Sequence, residues 1–151
     1  MVNADKSGIM FTVNPATNQE KEIVIEAIYG LGEMIVGGEV SPDLYIIDKD
    51  KRDITTMEIR KQEQGLFRSD YSTNEKKNIP KEYQDKQKIN VKEIQELARL
   101  GKKLEDHYHH PQDIEWAIEK GEIYIVQTRA VTTFKPATVE ERPGIQEEAG
   151  K

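Results

Sequence analysis

No cysteine occurs among the 151 residues, which excludes disulfide frameworks, thiolate nucleophiles and cysteine-bound zinc. No apolar run approaches the ~18 residues of a membrane span, and the N-terminus lacks the apolar centre of a signal peptide. Aromatic residues are sparse, at 7% with a single tryptophan. An overall positive field is missing as well: the formal charge is −6, a poor basis for non-specific nucleic-acid binding. These absences lead to the expectation of a cytoplasmic protein with neither nucleic-acid nor membrane partners.

What is present begins with an uneven charge distribution. Residues 60–103 carry 12 Lys/Arg against 7 Asp/Glu, while the rest of the chain carries 10 against 21. The basic segment could face an anion locally. Its richness in Lys, Gln, Asn and Glu between residues 72 and 90 instead suggests a solvated, mobile surface segment. The length suits one domain with a core of its own.

Hydrophobic patterning predicts an α+β fold. Ser7 to Val13 reads as a short buried strand stopped by Asn14-Pro15, and Glu22 to Tyr29 as its hairpin partner. Leu44 to Asp48 is a further strand, with residues 53–62 as its partner. Between them, Gly30-Leu31-Gly32-Glu33 follows a strand. It admits either a tight turn or a backbone N–H cradle for phosphate, and no Lys-Ser/Thr follows to favour the cradle. Val91 to Tyr108 is the clearest helix, with apolar residues recurring every three or four positions and an Asn90…Glu93 capping box at its start. Its stripe is expected to pack on the sheet. His107, His109 and His110 cluster at its end and read as surface residues rather than a transition-metal site.

Beyond Pro111 comes a hairpin of Gln112 to Ile118 and Glu122 to Val131. Alternation along the first strand turns Asp113 and Glu115 to one face and Ile114, Trp116 and Ile118 to the other. The two acids then stand about 7 Å apart, a repulsive arrangement relieved by a cation such as Mg²⁺. The face that Gln127 and Arg129 join depends on the turn. A type I′ turn at Lys120-Gly121 needs positive φ at lysine, so a three-residue turn ending in Gly121 is predicted. That register places Asp113, Glu115, Gln127 and Arg129 on one face with Ile123 and Ile125, and Trp116, Tyr124 and Val126 on the other. The pattern alone supports both a phosphate and Mg²⁺ site and a plain salt bridge from Arg129 to Asp113 or Glu115.

The block Gln112-Asp113-Ile114-Glu115-Trp116-Ala117, followed by Ile123 to Arg129, resembles the end of the ATP-binding domain of the phosphoenolpyruvate synthase (pyruvate, water dikinase) and pyruvate phosphate dikinase family. Further matches are Ser7 to Thr12, Ile25-Glu26-Ala27, Gly30 to Glu33, Gly38-Glu39-Val40, Pro42-Asp43 and His107-Tyr108, so that the resemblance covers nearly all of residues 1–133. It implies the C-terminal lobe of an ATP-grasp fold, a mostly antiparallel sheet with one long helix (about 91–108), within a larger nucleotide-binding domain. Residues 134–151 would be a linker or disordered tail.

The implied cofactors are ATP and Mg²⁺. Asp113 and Glu115 would act at the metal, Gln127 and Arg129 at the transferring phosphates, and Glu26, Gly30, Gly32 and Glu33 near the nucleotide. The implied partners are an N-terminal lobe, a phosphohistidine domain and a pyruvate-binding domain. None of His107, His109 and His110 fits as the family's phosphorylated histidine. With the phosphate-contacting N-terminal lobe absent, half the phosphate clamp is missing, so the chain alone is expected to bind nucleotide weakly without turnover. Ala130 replaces the family's usual proline. A related antibiotic or glucan dikinase and an inert interaction module are the alternatives.

Overall fold

The structure is a computed structural model and describes residues 4–69 and 73–132. Among the described residues, eight strands and three helices follow in the order β1 (Lys6–Phe11), β2 (Glu22–Tyr29), α1 (Glu33–Val36), β3 (Asp43–Asp48), β4 (Ile54–Glu58), β5 (Gln64–Arg68), β6 (Asn74–Asn78), α2 (Lys81–Gln84), α3 (Val91–Tyr108), β7 (Gln112–Glu119) and β8 (Glu122–Ala130). Six strands form one sheet in the order β4-β3-β2-β1-β7-β8, with every neighbouring pair antiparallel. The fold is therefore α+β with one main helix, as the periodicity predicts. The expected tail at 134–151 lies outside the described residues.

Helix α3 starts where its sequence dictates. The Asn90 carboxamide oxygen accepts from Glu93 N–H at 2.8 Å, and the Glu93 carboxylate accepts from Asn90 N–H at 2.9 Å. The reciprocal pair satisfies two N–H groups that a helix start otherwise leaves open. Ile94, Leu97, Ala98 and Gly101 form its buried stripe and meet Met10, Ile25, Tyr45, Ile114 and Trp116 from the sheet. Each fully buried Leu or Ile contributes roughly 1.5–3 kcal/mol. The helix covers one sheet face, and among the described residues the other face meets only the single turn of α1 at its border.

The described part of the segment expected to be mobile, residues 73–90, holds regular structure. β6 pairs with β5 to make a two-stranded arm, although every β6 side chain is exposed. Backbone pairing holds such a strand without any apolar pattern for a sequence reading to detect. The arm grips the end of β2 through Gln62, whose amide accepts from Tyr29 N–H at 2.8 Å and donates to the Tyr29 carbonyl at 3.0 Å.

Lys88, in the same segment, is fully buried and ion-paired with buried Asp43 at 2.9 Å. The Tyr45 hydroxyl donates to Asp43 at 2.7 Å, and burial together with that carboxylate pushes the phenol well above its ordinary range.

Candidate functional site

The strand registers define what the uncovered face presents. One row across the sheet reads Leu44, Glu26, Ile9, Glu115, Gln127. The next reads Ile46, Val24, Phe11, Asp113, Arg129. Four polar residues of β7 and β8 thus form a square, and Glu26 stands two strands away from Glu115, about 10 Å at strand spacing. Two apolar side chains, Ile9 and Phe11, lie between the acids of β7 and strand β2.

The turn that produces this square differs from the predicted one. Glu119 pairs with Glu122 across two residues, Lys120 at φ 51° and Gly121 at φ 82°, the left-handed pair of a type I′ turn. Asp5 helps to hold it, its carboxylate accepting from Lys120 N–H at 2.8 Å. In an unbroken ladder this turn would set Gln127 and Arg129 on the helix-covered face. A β-bulge intervenes: Trp116 faces Ile125, but Glu115 faces Gln127, leaving Val126 unpaired. The bulge takes up this one surplus residue, so Gln127 and Arg129 stand on the side of the acids.

The same register corrects the apolar partners. Ile123 and Ile125 pack against the core with Trp116, whereas Tyr124 and Val126 are exposed.

Asp113, Glu115 and Arg129 line a cleft of about 600 Å³ bordered also by Ser7, Ile9, Phe11, Leu31, Gly32, Glu33, Val36 and Val126, whereas Gln127 and Glu26 lie outside its lining. That size and its mainly apolar walls with a few converging polar groups suit a small-molecule ligand. Arg129 Nε donates to Asp113 at 3.2 Å, so the plain salt bridge foreseen as one reading is present. Glu115 and Gln127, directly opposite each other, have no side-chain partner among the described residues. Burial raises the Glu26 carboxyl above its ordinary range, and the charge of Arg60 opposes that rise.

Gly30 and Gly32 behave as turn residues. Gly30 lies at φ 82° with its N–H bonded to the Asp5 carbonyl, and Leu31 N–H is bonded to the Leu66 carbonyl. Those two N–H groups are occupied within the protein. Gly32 and Glu33 reach the cleft wall, and Gly30 lies behind them against the β5–β6 arm.

The histidines are elsewhere. His109 is the left-handed C-cap of α3, and His110 Nε2 lies 3.2 Å from the Val131 carbonyl. A more open hollow of about 700 Å³ beside them is lined by Lys21, Lys49, Lys102, Glu105 and Asp106. Its three lysines already pair with Asp50, Glu105 and Asp106.

Two residues of the open face were missed by sequence reasoning, Arg60 and its direct partner Glu58. Only a loose alternation marked that strand, and nothing in it set these two charges apart from solvated surface.

For Mg²⁺, the described residues hold no cluster of three Asp, Glu or His able to bind a metal unaided. Asp113 and Glu115 on one strand face supply two hard oxygen donors, which fits an ion that takes one or two carboxylates and completes its shell with water and substrate phosphates.

Comparison with known proteins gives the site its context. Residues 1–150 match the family described as pyruvate phosphate dikinase, AMP/ATP-binding domain. The "Probable phosphoenolpyruvate synthase" of Archaeoglobus fulgidus is 46% identical over 99% of this chain and 20% of that protein. The "Phosphoenolpyruvate synthase" of Pyrococcus furiosus is 44% identical over 97% of this chain and 19% of that protein. The "Rifampicin phosphotransferase" of Bacillus cereus is 38% identical over 90% of this chain and 15% of that protein. The chain thus spans about a fifth or less of the length of these relatives.

Proposed function

The chain belongs to the pyruvate phosphate dikinase AMP/ATP-binding domain family, and from that membership we propose that it is the C-terminal, ATP-grasp lobe of an ATP-driven dikinase. The single observation carrying the reading is the square of Asp113, Glu115, Gln127 and Arg129 on the open face of the sheet. Asp113 and Glu115 would hold Mg²⁺, which when bound neutralises the charge of the nucleotide's phosphates. Arg129 presents a planar fork suited to phosphate oxygens, and Gln127 adds a neutral donor beside it.

In this reading the Asp113–Arg129 bond is a resting contact. It keeps the guanidinium extended over the cleft until phosphate takes Asp113's place as its acceptor. Ile9, Phe11 and Leu31 supply apolar wall for a purine, Gly32 and Glu33 form the nucleotide's far boundary, Gly30 supports them from behind, and Glu26 stands on the same sheet face outside the cleft. Residues 1–133 would be the lobe and 134–151 a linker. The intact cytoplasmic enzyme would add a second lobe, a histidine domain that receives the phosphoryl group, and a domain that passes it to pyruvate. A second acceptor class, an antibiotic, is favoured by the similarity to the rifampicin phosphotransferase. Assaying the product of the whole reading frame with pyruvate and with rifampicin separates the two.

Titration of the chain with Mg·ATP, followed by NMR, tests the site. Shifts should centre on Asp113, Glu115, Gln127 and Arg129, and Asp113→Asn with Glu115→Gln should remove their dependence on Mg²⁺. Shifts confined to the hollow beside His109, or none at millimolar nucleotide, would refute it in this chain.

A further inference from the structure

Helix α1 is a single turn, too short to hold itself together by its own hydrogen bonds. Its N-cap is Gly32, which offers no capping side chain, and Met34 is its one buried residue. Yet Glu33 and Val36 make it part of the cleft wall, so its orientation must be fixed from outside. That support comes from the β5–β6 arm. Leu31 N–H, just ahead of α1, donates to the Leu66 carbonyl of β5 at 2.7 Å. From β6, Asn74 Nδ2 donates to Glu33 Oε1 at 3.3 Å, and Lys76 Nζ to Glu39 Oε1 at 2.6 Å. Asn74 and Lys76 stand two apart on a strand and so share a face, the one turned to α1.

The arm is itself fixed from the core. Besides the grip of Gln62 on Tyr29, the buried Asp43–Lys88 pair joins the two ends of the arm. Asp43 Oδ1 accepts from Arg60 N–H at 2.9 Å and from Lys88 Nζ at 2.9 Å, and Lys88 Nζ donates in turn to the Arg60 carbonyl at 2.5 Å. Position therefore passes from a buried ion pair, through the arm, to the wall of the cleft. Exposed contacts such as those of Asn74 and Lys76 add little to stability. What they can do is decide where the Glu33 carboxylate stands.

We propose that Asn74 and Lys76 are positioning residues for Glu33: from β6 they hold α1 so that the Glu33 carboxylate faces the cleft as a hydrogen-bond acceptor. A carboxylate repels phosphate and suits hydroxyl or amino donors, so Glu33 marks the nucleoside end of a nucleotide whose phosphates lie at Arg129. That clause rests on the function proposed above. The hold on α1 does not.

Amide exchange with solvent, read by NMR on the 151-residue chain, tests the hold. The reporters are the Ile35 and Gly37 N–H groups, bonded to the Gly32 and Glu33 carbonyls. Asn74→Ala combined with Lys76→Ala should speed exchange at both several-fold. Leu31 and Ile79, bonded to Leu66 and Glu63, should keep their rates. Asn74→Asp preserves the side chain's shape but sets a second carboxylate against Glu33, and should also speed Ile35 and Gly37. Unchanged rates at these two, or an equal rise at Ile79, overturn the proposal. Nucleotide affinity supplies a readout that a merely structural role would not move. Asn74→Ala should weaken Mg·ATP several-fold in the parent chain and leave it unchanged in a Glu33→Ala background; equal weakening in both overturns the role given to Glu33. If the parent chain binds no Mg·ATP, the proposed function falls in this chain, and the exchange rates still decide the hold on α1.

Discussion

At Glu26, burial disfavours the charged carboxylate while Arg60 favours it, and burial is the larger effect. The folded state therefore takes up a proton more readily than the unfolded chain, whose ordinary value is 4.5. The stability linked to this group is fully present below that value and is lost as pH rises through the raised folded value. Glu26→Gln should accordingly raise the urea midpoint at pH 7, with the gain shrinking toward pH 4; an equal gain at both would contradict this account. Lys88 is a harsher case. Lys88→Met strands a buried Asp43 carboxylate and should cost about 3–5 kcal/mol in chemical denaturation, less in the double variant with Asp43→Leu. The acids of β7 were legible in the sequence because a two-residue spacing on a strand fixes a shared face whatever the rest of the fold does. Lys88 was not, since lysine is rarely buried and its partner lies 45 residues away.

The elements divide along similar lines. α3 and its cap could be read in advance because both the stripe and the Asn90–Glu93 box are local. The β5–β6 arm could not, because its anchor is the long-range pairing of Gln62 with Tyr29. Gln62→Ala would leave both Tyr29 backbone groups unsatisfied, at about 1–3 kcal/mol each. It should also speed amide exchange at Leu31, whose N–H is bonded to Leu66; protection unchanged at Leu31 would show that the arm is held elsewhere. The β7–β8 turn places lysine in a left-handed conformation that asparagine adopts more easily. Lys120→Asn should therefore stabilise the chain by up to about 1 kcal/mol, seen as a higher melting temperature. The predicted turn failed because local preference at one residue was outweighed by the ladder on either side of it.

On the scale of the whole molecule, one side of the six-stranded sheet carries helix α3 and the other carries the proposed site. The sheet's alternation was readable strand by strand, but its strand order joins segments a hundred residues apart, as where β1 pairs with β7. That pairing brings Glu26 into line with Glu115, which no local pattern could announce. With the three histidines at the end of α3, away from the cleft, incubation of the chain with Mg·ATP should leave phosphohistidine at background. Labelled protein would revise the reading of half a site. The bulge at Val126 has one more implication. In a regular strand a side chain that packs inward is followed at once by one that points outward, yet between Ile125 and Gln127 the chain spends one to spare. A protein shortened by that residue should keep glutamine opposite Glu115 and arginine opposite Asp113. The surplus therefore alters what the rim of the cleft is made of, an exposed valine beside the acids, and leaves the address of the polar groups untouched.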